Sequence, residues 1–222
     1  MSFISVFDVL GPNMIGPSSS HTAGAVEIAC LAQKLLEPPL RQVEFTLYGS
    51  FAQTYHGHGT DRALLGGIMG FSTDDLRIRD SFQIARDRGL DFAFIPNETE
   101  TEIHPNTVDI RMVNEAGQTM TVRGESLGGG KVRITRINGM RVEFTGEYAS
   151  VITEHQDKPG VVAHITRVLS DWNVNIAFMR LYREGKNDTA YCIVESDGRL
   201  PEGISDQLKA NPYIHNVMVV QP

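Results

Sequence analysis

Apolar residues at Ala25, Ile28, Ala29, Ala32, Leu35 and Leu36 recur at helical spacing, and Pro38-Pro39 ends the run. The period then shortens to two. Val43, Phe45 and Leu47 alternate with polar neighbours, which predicts a half-buried strand closing at Gly49-Ser50. Residues 62–70 read as a second helix. Ser72 to Gly89 reads as a capped third, entered through Thr73-Asp74-Asp75 and left at Gly89. A short strand over 91–96 precedes a polar loop, Asn97 to Pro105, whose His104 reads as solvated. Alternation resumes at Val108, Ile110 and Met112, and residues 119–124 return as a hairpin. Lys131–Ile137 and Met140–Phe144 predict a second hairpin across Asn138-Gly139.

A boundary is expected near Thr145-Gly146-Glu147, because the pattern beyond it is self-contained. Tyr148 to His155 reads as a strand and Gln156 to Gly160 as a turn. Val161, Ala163, Ile165, Val168 and Leu169 fill a helix that reaches Trp172. Strands over 173–183 and 188–196, a short helix near 205–210 and a strand over 214–220 complete the order βαββαβ, a ferredoxin-like arrangement.

Two polar stretches carry the candidate chemistry. In Gly16-Pro17-Ser18-Ser19-Ser20-His21-Thr22, three hydroxyls and an imidazole follow a Gly-Pro turn and open onto the first helix. One serine suffices to cap a helix. The remaining serines, His21 and the first-turn N–H groups make either a pocket for a small carboxylate or phosphate, or an over-furnished cap. In Tyr55-His56-Gly57-His58-Gly59-Thr60-Asp61, a second histidine-bearing stretch, read as a loop, feeds a second helix, with Thr60 or Asp61 as its cap. His58 and Asp61 form a base and its orienting partner if the loop folds to join them. A flexible turn and an opportunistic metal site are the plainer readings. Gly128-Gly129-Gly130 lies between strands and either frees N–H groups for a ligand or makes a bulge. It has neither the Lys-Ser/Thr ending of a phosphate loop nor the spacing of a dinucleotide fingerprint.

Composition narrows the classes. A net charge of -7 argues against a nucleic-acid surface. No apolar run approaches the ~18 residues of a membrane span, and residues 1–8 lack the features of a signal peptide, so the expected place is the cytoplasm. Cys30 and Cys192 sit among apolar neighbours and read as buried thiols; two cysteines are too few to hold an iron–sulfur cluster with four thiolates.

The last stretch resembles the ACT domain through Asp157-Lys158-Pro159-Gly160 and Trp172-Asn173-Val174-Asn175-Ile176. The resemblance implies a small effector at Asp157, Pro159 and Gly160, with Asn175 across the groove. Pairing of chains through the ACT domain with nothing bound is the alternative. The first ~145 residues resemble the beta part of iron–sulfur L-serine dehydratases. The resemblance rests on Phe7-Asp8-Val9-Leu10-Gly11-Pro12, Gly16 to Thr22, Tyr48-Gly49-Ser50, Gly57 to Asp61 and Ser126 to Gly130. It implies an α+β chain: an α/β allosteric-substrate-binding-like domain over 1–145, then a ferredoxin-like ACT domain over 146–222. It further implies a separate catalytic alpha chain whose cysteines hold a 4Fe-4S cluster, with one iron open as a Lewis acid for the serine hydroxyl. L-serine would lose its α-proton and hydroxide, and the aminoacrylate would hydrolyse to pyruvate and ammonia. His58, with His21 and Asp61, is the implied acid/base set. Ser18, Ser19, Ser20, Thr22 and Thr60 would bind substrate, and Gly128, Gly129 and Gly130 an effector.

Tyr55-His56 departs from the Gly-Lys that precedes Gly-His in relatives, which leaves the role of His56 open. A dimer of beta chains through the ACT domain is expected. The competing reading is a non-catalytic serine sensor, since the first domain also resembles the allosteric domain of some phosphoglycerate dehydrogenases. A metal hydrolase on His21, His56 and His58 is the poorer third, because no carboxylate–histidine set at zinc spacing exists beyond Asp61.

Overall fold

The structure, a computed structural model, describes residues 13–221. The family segment Phe7 to Pro12 lies outside them. The chain divides into two compact units, Met1–Gly139 and Met140–Pro222. Among the described residues, no helix is long and apolar enough to cross a membrane.

In the first unit a single π-helical turn, Ser19–Ala23, runs straight into helix α1, Gly24–Gln33. Strand β1 (Leu40–Tyr48) is followed by α2 (Gly49–His58), α3 (Thr60–Ile68), a 3-10 turn (Leu76–Asp80) and α4 (Ser81–Asp87). Strands β2 (Asp91–Asn97), β3 (Thr107–Asn114), β4 (Thr119–Gly128) and β5 (Lys131–Ile137) then pair in the sheet order β2-β1-β3-β4-β5, and β6 (Met140–Phe144) follows at the start of the second unit. The helical crossover makes β1 and β2 parallel, while β1, β3, β4 and β5 pair antiparallel in turn. Asn138 and Gly139 both take positive φ, 48° and 87°, as a two-residue hairpin turn demands.

Alternation along the strands sorts the two faces of this sheet. Val43, Phe45 and Leu47 pair across with Met112, Ile110 and Val108, and all six are fully buried. Each such side chain contributes roughly 1.5–3 kcal/mol by leaving water. The other face is polar. Arg123 donates to Asp109 from Nε (2.6 Å) and Nη2 (2.7 Å), and the Tyr48 hydroxyl donates to the same carboxylate at 2.9 Å. Helices α1 and α3 cross almost backbone to backbone: a Cβ on Gly67 would fall 2.5 Å from the Val26 carbonyl oxygen. That close crossing positions both functional stretches, since α1 follows the serines and α3 follows the second histidine stretch.

The second unit has β7 (Ala149–Gln156), α5 (Val161–Asp171), β8 (Ile176–Arg183), β9 (Thr189–Ser196), α6 (Ile204–Lys209) and β10 (Ile214–Val220). Its four-stranded antiparallel sheet has the order β10-β7-β9-β8, the arrangement expected of a βαββαβ unit. Val151, Cys192 and Val194 pack with Ile165, Leu169 and Leu208 in its core. The chain is therefore of the α+β class that the resemblance implies.

Three local expectations are corrected. The stretch Tyr55 to Asp61 is no loop: α2 runs through His58, Gly59 turns the chain at φ 69°, and α3 starts at Thr60. The burial of Phe51 and Ala52 in α2 outweighs the roughly 1 kcal/mol that Gly57 costs inside a helix. The helix expected over 72–89 is instead a 3-10 turn capped by Asp75, whose side chain accepts from the Arg77 N–H, followed by α4. The strand expected from Asn173 begins at Ile176, because Asn173 takes φ 55°.

Candidate functional site

The π turn sets the first half of the site. Ser18 caps it by accepting the His21 N–H at 3.2 Å. The hydroxyls of Ser18 and Ser20 also lie 3.3 and 3.0 Å from His21 Nδ1. Ser19 contributes its carbonyl, which accepts the Gly24 N–H. His21 Nε2 lies 2.9 Å from the hydroxyl of Ser50, which opens α2. Both ring nitrogens are thus engaged, and a rigid imidazole results. Burial, and secondarily the proximity of His58, holds the His21 pKa below its ordinary value.

The short elbow at Gly59 sets the second half. His58, the last residue of α2, places its ring 4.7 Å from that of His21 at 73°, edge to face. Thr22 fixes the backbone there by donating to the His58 carbonyl at 3.2 Å. His58 Nδ1 is buried and, among the described residues, has no hydrogen-bond partner; the same holds for Thr60 Oγ1.

Asp61 does not join His58. Its Oδ2 lies 2.8 Å from His56 Nδ1, and its Oδ1 accepts the Arg62 N–H at 2.7 Å. Residues two apart on a helix point about 200° apart, so His56 and His58 cannot share one acid at the elbow. His56 therefore has a defined role as the partner of Asp61.

Gly16, Pro17 and Thr22, the His56–Gly59 elbow, and Arg62, Ile78 and Arg79 enclose one cleft of about 340 Å³, ample for a small amino acid. The Arg62 guanidinium lies 5.5 Å over the Phe82 ring and donates through Nη1 to the Arg79 carbonyl. Sequence reasoning missed three contributors: Ser50, Arg62 and Arg79. Ser50 sat inside a quoted family segment, and its pairing with His21 was the unread signal. For Arg79 no local pattern gives a signal.

The donor set of this chain does not fit an iron–sulfur cluster. Cys30 and Cys192 lie in separate units, and burial pushes both thiols up to about 12. Cys30 also donates to the carbonyls of Gly67 (3.5 Å) and Phe71 (3.4 Å). Among the described residues, no group of three or more His, Cys, Asp or Glu is arranged to hold a metal ion.

Elsewhere, Gly128 closes β4, and Gly129 and Gly130 make the turn into β5, so the glycine run is a hairpin tip. In the second unit, Asp157, Pro159 and Gly160 share the β7–α5 turn. Arg183 donates to Asp157 Oδ2 at 2.6 Å, and that hydrogen bond above all holds the carboxyl below its ordinary range. Asn175 is not across a groove from that turn within one chain. Gln156 and Arg183 meet the start of β9, whereas Ile176 meets its end at Ser196, so Asn175 lies at the opposite end of the sheet. There it donates to Asp197 Oδ2 at 2.6 Å.

Comparison with known proteins places the chain in a family. Residues 5–88 match the family described as serine dehydratase beta chain, and residues 149–212 match the ACT domain. The L-serine dehydratase beta chain of Peptoniphilus asaccharolyticus is 41% identical over 208 residues, 94% of each chain. A probable L-serine dehydratase beta chain of Bacillus subtilis is 40% identical over 217 residues, 98% of each chain. The D-3-phosphoglycerate dehydrogenase of Bacillus subtilis is 26% identical over 197 residues, covering 88% of this chain and 37% of that enzyme. With the full-length likeness to the two beta chains, this protein belongs to the L-serine dehydratase beta-chain family.

Proposed function

We propose that this chain supplies the histidine-bearing half of an active site that converts L-serine to pyruvate and ammonia. A cysteine-containing alpha chain completes that site and carries the 4Fe-4S cluster, whose chemistry belongs to that partner. The observation that carries the reading is the edge-to-face pair of His21 and His58 beside one cleft, in a chain whose full-length relatives are L-serine dehydratase beta chains.

In this reading His58 is the acid/base group that handles the α-proton of serine. Its buried Nδ1 has no hydrogen-bond partner among the described residues, so that atom is open to a proton from substrate. His21, gripped by Ser18, Ser20 and Ser50, packs against His58 and keeps its ring in place. Thr22 anchors the His58 backbone, and Asp61 stiffens the elbow through His56. Ser19 and Thr60 are not among the residues that line the cleft, and Thr60 is fully buried, so of the expected substrate contacts Thr22 is the one that faces it. The second unit pairs two beta chains: β8 is the last strand of its sheet and leaves Phe178 and Leu181 47% and 46% exposed. Asp157, Pro159 and Gly160, with Asn175 supplied by the second copy, and the Gly128-Gly129-Gly130 tip are the proposed effector contacts.

The deciding experiment is anaerobic L-serine deamination by this chain, alone and with its cysteine-rich partner, following pyruvate. Activity only in the pair supports the split site. Activity in the isolated chain overturns it. Serine binding without turnover in a cluster-loaded pair makes the chain a sensor. Sedimentation of the isolated chain as a monomer overturns the ACT pairing.

A further inference from the structure

Among the described residues, the Arg79 guanidinium makes no hydrogen bond, ion pair or ring contact, although Arg79 lines the cleft beside His56 and His58. Its neighbour Arg77 is already committed, donating to Asp75 Oδ2 at 2.5 Å and lying 4.2 Å over the Phe71 ring. The backbone that carries Arg79 is fixed. Ile78 is 2% exposed, and the Arg79 carbonyl accepts from Arg62, itself seated over Phe82. Asp61, beside the elbow, has one oxygen on His56 and the other on the Arg62 N–H. The result is a concave wall with an uncompensated cation, on a chain whose net charge is -7. Such a wall concentrates small anions against the overall charge of the protein.

A guanidinium presents a planar fork that matches a carboxylate through two parallel hydrogen bonds. We infer that Arg79, positioned by Arg62, receives the carboxylate of the amino-acid substrate and turns its α-carbon toward His58. Arg79 is then the residue that makes the cleft accept free 2-amino acids and reject their amides. The hydroxyls of Ser18 and Ser20, spent on His21, are left to orient that ring. This inference rests on reading the cleft as an L-serine site.

The test uses the full-length chain first. Histidine ring resonances are followed by NMR during titration with L-serine and with L-serinamide, which lacks the carboxylate. L-serine is expected to move the His56 and His58 resonances and L-serinamide to leave them in place. Arg79→Gln is expected to weaken L-serine by about tenfold or more, and Arg79→Lys, a point charge without the fork, by less. No response to L-serine, or equal affinity in Arg79→Gln, overturns the assignment even if the assembled enzyme turns serine over. In the assembled pair, Arg79→Gln is expected to raise KM for L-serine by about tenfold with a much smaller change in kcat. Loss of alpha-chain copurification in that variant instead assigns Arg79 to a partner carboxylate and overturns the inference. A wild-type pair that never forms pyruvate overturns the dehydratase reading, while the titration still decides the carboxylate site.

Discussion

The histidine cluster of the first unit and the Asp157 turn of the second start from one local device, a short polar stretch feeding a helix. They finish differently. In the first, the links span long stretches of sequence: Ser50 meets His21 and Thr22 meets His58, 29 and 36 residues apart. Two buried atoms of the cluster, His58 Nδ1 and Thr60 Oγ1, are left uncommitted among the described residues. In the second, the turn closes on the adjoining β8–β9 hairpin: Asp157 takes Arg183 and the Asn187 N–H, and its own N–H donates to the Asp188 carbonyl. A polar helix entry is available for acid/base chemistry where folding leaves a titratable side chain free, and not where local contacts already engage it, as they do Asp157.

The sharpest way to break this comparison is His58→Ala. Removing a general acid/base lowers kcat by about 10²–10⁴-fold. Pyruvate formation by the reconstituted pair reads it, and unchanged turnover removes His58 from the mechanism. Next comes Ser50→Ala, which strips His21 Nε2 of its partner. Loss of one hydrogen bond, on the order of 1.4 kcal/mol, predicts about a tenfold fall in kcat. A shifted pH profile in Ser50→Ala and recovery in Ser50→Thr separate positioning of the ring from a general loss of structure.

Both residues show what the sequence disclosed and what it hid. The strand β1 and the βαββαβ unit were legible because burial imposes a period on the chain, and Val43, Phe45 and Leu47 display it directly. His21 and His58 were legible as candidates through their polar surroundings. Their partners were not. Asp61 stands three residues from His58 and five from His56, and only the helical run through His58 hands it to His56. That run was itself masked, since Gly57 and Gly59 together read as a loop, whereas only Gly59 breaks the helix. Arg79 was invisible for another reason. Its significance is the absence of a paired acid, and pairing is decided by contacts such as those that engage Arg77 and Asp61 elsewhere.

A pH titration sharpens the comparison further. Burial and His58 depress the His21 pKa from an ordinary 6.5. Between the depressed and the ordinary value, the unfolded chain binds more protons than the folded one. The contribution of neutral His21 is therefore complete above about pH 6.5 and is lost as pH falls through the folded pKa. The His21 ring resonance is expected to titrate below that of a free histidine. In His21→Gln, the acid-side loss of thermal stability between pH 7 and 5 should become shallower. A His21 that titrates at or above the ordinary value removes the rigid, neutral imidazole from the site.

The smallest effect is expected at the other region. Arg183→Ala frees the Asp157 carboxylate without touching the histidine cleft. The pair is only half-buried, with the Arg183 side chain 54% exposed, so solvent and salt screen it. Serine turnover and Tm at neutral pH should match the parent chain. The sign of the residual difference is fixed. Arg183 lowers the Asp157 pKa from 3.8, so its contribution is present above that value and disappears as pH falls through the folded one. Any parent–variant difference in Tm must therefore shrink on acidification rather than grow. If Arg183→Ala instead changes kcat for serine, the Asp157 turn is coupled to catalysis, and the division between a catalytic helix entry and a non-catalytic one no longer holds.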